Sequence, residues 1–190
     1  MKKILLIAVT AFAAVSAFAQ PKFAHVNSTE LVQLCPDMDK ARETMNAASN
    51  EAQETYQAMV DEWNTKLSAY QSKGSTWTDA IRQSKEKELT DIQQRIQEFQ
   101  QTVQVELQQQ QESLMQPIYQ KVNETVQELA KKGGYIYVFD VSSLVYYDAS
   151  QSFDLTPDAR KALNIPADRT LESLAAELQA QQQAAAAAQQ

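Results

Sequence analysis

The sequence predicts a mostly α-helical protein with a small β body, in which a long antiparallel helical hairpin protrudes as a coiled-coil arm from a short-stranded domain. Three observations predict it. Only three of 190 residues are Gly, where average composition would supply about thirteen. Between Asp37 and Lys132 apolar residues recur at helical spacing, interrupted only by Gly74 and Pro117. The β-branched and aromatic runs lie at the two ends of that stretch.

The same counts narrow the chemistry. Gly serves tight turns and phosphate-cradling loops, and Gly74, Gly133 and Gly134 form neither a dinucleotide fingerprint nor a P-loop. One His and one Cys cannot supply the four or so ligands of a zinc site. Nucleophilic catalysis with a His base would depend on His25 alone. No enzyme activity, cofactor, metal or nucleic-acid partner is expected. Gln fills the composition instead, with 26 copies, and it favours helix nearly as well as Glu or Lys.

Residues 1–19 read as a signal peptide. Lys2 and Lys3 form a positive start, Ile4 to Phe18 is an apolar stretch, and Ala17-Phe18-Ala19 is a small-x-small cleavage signature. Cleavage after Ala19 leaves an exported protein with 15 basic and 24 acidic groups, net −9. Cys35 lies too far along to be a lipid-anchored N-terminus. A lone Cys cannot pair within its chain, and a buried small hydrophobe is the favoured reading.

Lys22 to Asn27 has strand character, and a short helix follows, entered through Ser28 or Thr29 as cap. Pro36 interrupts it and starts the next helix. Residues 37–132 then form the arm, with its tip near 74–77. Gly74-Ser75-Thr76 is the turn, and Thr76 or Thr78 caps the returning helix. At 1.5 Å per residue the two helices would run about 55 and 80 Å. The outgoing stripe is Met45, Ala48, Ala52, Tyr56, Met59, Trp63, Leu67 and Tyr70. The returning stripe is Ile92, Ile96, Phe99, Val103, Leu107, Gln110, Leu114 and Ile118. Both follow an 11-residue repeat, which predicts an almost straight pair of helices. Gln110 falls on the seam and the Ala positions leave room beside it. A flexible arm and a cavity lined partly by apolar groups are therefore expected, against the plainer alternative of a fully sequestered coiled coil.

Gly133-Gly134 is a natural end for the returning helix. Tyr135 to Phe139 and Leu144 to Tyr147 then read as a strand hairpin, and Thr156-Pro157-Asp158 caps a helix over Ala159 to Leu163. Residues 20–36 and 133–169 thus make the body, and 170–190 reads as a mobile Ala/Gln tail. Tyr135, Tyr137 and Phe139 are expected on one strand face, with Ile136 and Val138 on the other. A strand apolar on both sides exceeds what one small head can bury.

In order, these parts are the signal peptide, Phe23-Ala-His-Val-Asn-Ser-Thr-Glu30, the Gln-rich hairpin, Gly133-Gly134-Tyr135-Ile-Tyr-Val-Phe-Asp140, Leu144-Val-Tyr-Tyr-Asp148 and Asp154-Leu-Thr-Pro-Asp158. That ordered set resembles the Skp (OmpH) family of periplasmic chaperones from about Lys22 to Asn164. The resemblance implies a jellyfish-like homotrimer whose β bodies join and whose arms surround a cavity. There it would hold unfolded outer-membrane proteins in the periplasm without ATP. Phe23, Val26, Tyr135, Ile136, Tyr137, Val138, Phe139 and Val145 are the expected trimer interface. The chain departs from the best-known, basic members in being acidic.

Several residues are weighed individually. Around the tip, Lys66, Lys73, Arg82, Lys85 and Lys87 outnumber Asp79 and Glu86, so residues 64–87 carry net +3 against −12 elsewhere in the mature chain. This basic tip is a candidate for steering acidic clients or touching anionic lipids, although a solvated loop is the favoured reading. Trp63, Tyr70 and Trp77 are candidates for gripping clients, with zipping of the last turns favoured over grip. Pro117 removes one helical hydrogen bond and is expected to act as a hinge. His25 is expected to be a partnered structural His. The competing class is a structural envelope spacer or periplasmic adaptor, which would have a rigid, fully satisfied seam.

Overall fold

The computed structural model describes residues 21–188, so the predicted signal peptide and its cleavage point lie outside the described residues. The chain forms two compact units, a body of residues 21–35 and 121–188 and a hairpin unit of residues 36–120.

The body is built on a three-stranded sheet. Strand β1 (Lys22–Val26) lies in the centre, with β2 (Tyr135–Asp140) on one side and β3 (Ser152–Asp154) on the other, both parallel to it. Helix α1 (Ser28–Leu34) follows β1 directly. Its cap is Asn27, one residue before the expected hydroxyls, and the Asn27 side chain accepts from the Glu30 N–H at 3.1 Å. The hydroxyl of Ser28 is engaged elsewhere, donating to the Asp140 carboxylate. Ala24, Leu31, Leu34, Val122, Ala159 and Leu163 are almost completely buried and form the core of this unit. Cys35 is a free thiol buried with them.

Three expectations for the body are corrected. Leu144 to Tyr147 is not a strand and no strand hairpin forms. Asp140 accepts from the Ser142 N–H at 3.0 Å and starts a 3₁₀ turn over Val141–Ser143, and Asp148 nucleates a second turn through Ser150. The third strand is Ser152–Asp154 instead, which takes the free edge of β1 by pairing Phe23, Ala24 and His25. Helix α4 (Thr156–Ala162) has no side-chain cap. The Thr156 hydroxyl accepts from the Asn27 N–H at 3.0 Å, tying the helix to the end of β1. Residues 171–188 of the expected Ala/Gln tail form helix α5 (Leu171–Ala188), which is anchored at its start. A reciprocal pair of bonds between Thr170 and Ser173, at 3.0 and 3.1 Å, satisfies its first turn, and Leu174 is buried. Ala, Gln and Leu then carry the helix on propensity.

The hairpin unit consists of α2 (Pro36–Lys73) and the first part of α3 (Asp79–Gly133), joined by a 3₁₀ turn over Gly74–Thr76. Pro36 opens α2 as predicted. The Thr78 hydroxyl accepts from the Ile81 N–H and caps α3. Pro117 lies inside α3, whose helix continues on both sides of it. The final turns of α3 belong to the body, where Val122 is buried. The helix ends at Gly133, and Gly134 takes φ +69°, the left-handed cap conformation that glycine adopts without Cβ strain. A Cβ on Gly133 would run into the Tyr135 ring, so this glycine is also set by packing.

Candidate functional site

The candidate residues fall on two surfaces, the hairpin and the exposed side of the sheet. Every member of the two predicted stripes is at least half-buried, and Ile92 and Ile118 are fully so. Their neighbours on α2 and α3 are mostly exposed. The remaining stripe residues stay partly open because two helices alone cover little of each other.

Near the turn the helices are cross-linked by polar groups. Glu88 accepts from Lys66 and from Lys85, the latter at 2.9 Å. These two hydrogen bonds hold the Glu88 carboxyl well below its ordinary value, at about 2. Arg95 reaches Glu62 at 3.1 Å. The Tyr70 hydroxyl donates to Glu86, and that bond raises the phenol's pKa because ionisation would break it. The Tyr70 ring meets Trp77 edge-on at 5.9 Å, and Trp63 sits half-buried in the seam.

The candidate tip residues therefore have occupations within the hairpin. Lys66 and Lys85 belong to Glu88, and Arg82 pairs with Asp79 at 2.7 Å. Lys73 and Lys87 are exposed and lack an ion pair among the described residues. Widening the window to residues 62–88 adds Glu62 and Glu88, leaving five basic against four acidic groups and a net charge of +1. Sequence reasoning missed Glu88 because it lies one residue outside the basic cluster.

Farther from the turn, past Glu62 and Arg95, a crevice opens. It measures about 270 Å³ and is lined by Ala48, Ala52, Phe99, Val103, Leu107 and Gln110, with Glu51, Thr55 and Glu106 beside them. The small Ala side chains of α2 leave this space opposite Phe99 and Val103. Gln110 and the Ala positions thus lie at an apolar-lined gap, where the stripe placed them.

The body presents an aromatic surface. Phe23 stacks on Tyr137 at 6.3 Å, and Tyr137 on Phe139 at 5.9 Å. All three are exposed, Tyr137 at 60%. Ile136, Val145, Tyr146 and Phe153 are exposed as well. The strand faces differ from the expected alternation. The register shifts between Lys22 and Phe23, passing over Ile136. Tyr135 then stacks on Phe153 at 5.6 Å instead of joining Tyr137 and Phe139. Val26 is buried within the chain and Val138 is half-buried, so neither is an open contact residue. His25 is buried, with Nδ1 2.9 Å from the Ser152 hydroxyl and the Tyr147 ring 4.6 Å away. Asp140, the last residue of β2, is partly desolvated, but hydrogen bonds from Ser28 and Ser142 outweigh that and lower its pKa. Among the described residues no group of His, Cys, Asp and Glu could hold a metal, and no helix is long and apolar enough to cross a membrane.

A parallel three-stranded sheet interrupted in sequence by a long, polar-faced helical hairpin, with aromatic residues left open on the sheet, defines a sheet-and-helical-hairpin protein. The family described as outer membrane protein (OmpH-like) matches residues 22–163, and the chain belongs to that family. It is 28% identical over 152 residues to the chaperone protein Skp of Yersinia enterocolitica, covering 80% of this chain and 91% of that one. Its fold is similar to that of an OmpH-like outer membrane chaperone from Caulobacter crescentus CB15. The TM-score is 0.68 at 14% identity, over 77% of this chain and 85% of the other. Helix α5 lies beyond the matched family region.

Proposed function

We propose that the protein is an ATP-independent periplasmic holdase that binds unfolded outer-membrane proteins between helical arms and keeps them from aggregating. One observation carries this reading beyond family membership. The seam of the hairpin, cross-linked near the turn, opens at the Ala48/Ala52 crevice. A rigid spacer would close that seam. A holdase benefits from it, because many weak apolar contacts, at about 25 cal/mol per Å², give affinity without imposing a shape on the client. Binding only the unfolded state lowers its free concentration by mass action.

The assembly in this reading is a homotrimer joined through Phe23, Ile136, Tyr137, Phe139 and Val145, whose exposed apolar surface supports burial between copies. A monomeric mass in sedimentation at micromolar concentration would remove the trimer. Pro117 serves as the hinge of each arm, so Pro117→Ala should narrow the tip-to-tip distance distribution between paired spin labels, and an unchanged distribution contradicts it. Lys73 and Lys87 remain to steer clients or to make weak contact with anionic lipids. The holdase itself is tested by diluting an unfolded outer-membrane β-barrel from urea and following light scattering. Suppression by excess protein is expected, and undiminished scattering would end the proposal.

A further inference from the structure

The apolar crevice lies in a stretch of the hairpin with one sign of charge. Residues 43–65 and 96–120 contain eight acidic groups and no Lys or Arg. The cations at their borders are already paired, Arg42 with Asp39 at 3.0 Å and Arg95 with Glu62 at 3.1 Å. Within the stretch, Asp61, Glu98 and Glu112 each accept from a Gln four residues earlier. Glu51 and Glu106 do not. Both are exposed, neither has a polar partner among the described residues, and both stand at the crevice, one on each helix. The apolar lining and the two free carboxylates therefore occur at one place.

We propose that this crevice is a docking groove for unfolded cationic polypeptide segments. An aliphatic or aromatic side chain enters between Ala48, Ala52, Phe99 and Val103 while a Lys or Arg one or two residues away meets Glu51 or Glu106. The inference rests on the holdase reading and gives its client a chemistry. Charge complementarity selects the occupant. An acidic segment would be repelled by Glu51 and Glu106 at the crevice and by the excess of carboxylates along the stretch, and a purely polar cationic segment would leave the apolar lining exposed. Segments alternating apolar and basic residues satisfy both demands.

Fluorescence anisotropy with the full chain tests this. The probes are a fluorescein-labelled peptide alternating Leu and Arg, and two counterparts alternating Leu with Glu and Ser with Arg. The Leu/Arg peptide should bind best and weaken as salt rises. Glu51→Gln combined with Glu106→Gln should weaken it about five-fold, the sum expected of two exposed ion pairs, with the thermal melt unchanged. Ala52→Met, which fills the crevice without altering charge, should weaken it also. Equal binding of the Leu/Glu peptide, or an unchanged affinity in either variant, overturns the groove. A wild-type chain that still suppresses β-barrel aggregation in that event keeps the holdase reading and loses only this one. Failure to suppress aggregation removes the holdase reading separately.

Discussion

The two halves of the hairpin close the same helical stripe to different degrees. Toward the turn, Glu62, Lys66, Tyr70, Glu86, Glu88 and Arg95 bridge α2 and α3, and the Tyr70 and Trp77 rings close the end. Among the described residues no such bridge lies between Glu62 and the crevice, which is lined by Ala on one side and by Phe99, Val103 and Leu107 on the other. The comparison teaches that an apolar stripe does not by itself decide between packing and binding. Polar cross-links and large side chains seal one half, whereas small side chains and unpaired carboxylates leave the other available.

The largest expected effect tests this difference through packing. Ile92 is 1% exposed, so Ile92→Ala should cost about 3 kcal/mol. Val103→Ala at the crevice should cost about 1 kcal/mol, because the removed methyls already face a gap. Chemical denaturation of both variants checks the ratio, and equal losses would erase the distinction between the halves.

A smaller effect concerns pH. Glu88 has its folded pKa lowered to about 2 from an ordinary value of 4.5. A depressed carboxyl contributes stability that is fully present above pH 4.5 and is lost as pH falls toward 2. Thermal melts of the wild type should therefore decline more steeply across that window than melts of Glu88→Gln. Identical slopes would show that the Lys66–Glu88–Lys85 bridge does not tie the distal half. The smallest effect on stability belongs to Lys73→Glu with Lys87→Glu, within about 0.5 kcal/mol for exposed residues. That pair should instead slow capture of an acidic client at low salt, read by stopped-flow fluorescence, and unchanged on-rates would remove steering by the turn.

Much of this architecture was legible in the residues. The stripe from Met45 to Tyr70 and from Ile92 to Ile118 located the seam, because helical periodicity is local. Gly74, Thr78, Pro36 and Gly134 marked ends whose backbone geometry depends on the residue type. What failed was non-local. Ser152-Phe153-Asp154 carries no strand signal of its own and becomes β3 only because the edge of β1 is free beside it. Leu144 to Tyr147 has strong strand propensity, yet turns led by Asp140 and Asp148 take the backbone first. Tyr135 left its expected face through a register shift that no alternation pattern announces. At the candidate site, the basic cluster was visible, but its neutralisation by Glu62 and Glu88 depended on the antiparallel register of the helices. The crevice was anticipated from Ala and Gln110, and its charge only emerged when the two helices were placed together.

The most direct measurement is photo-crosslinking along one helix of the arm. A benzophenone side chain replaces Thr55 beside the crevice or Ser72 at the sealed turn, and each full-length variant is mixed with an unfolded outer-membrane β-barrel and irradiated. The account predicts strong client crosslinks from position 55 and weak ones from position 72. Crosslinks concentrated at position 72, or equal at both, would contradict it.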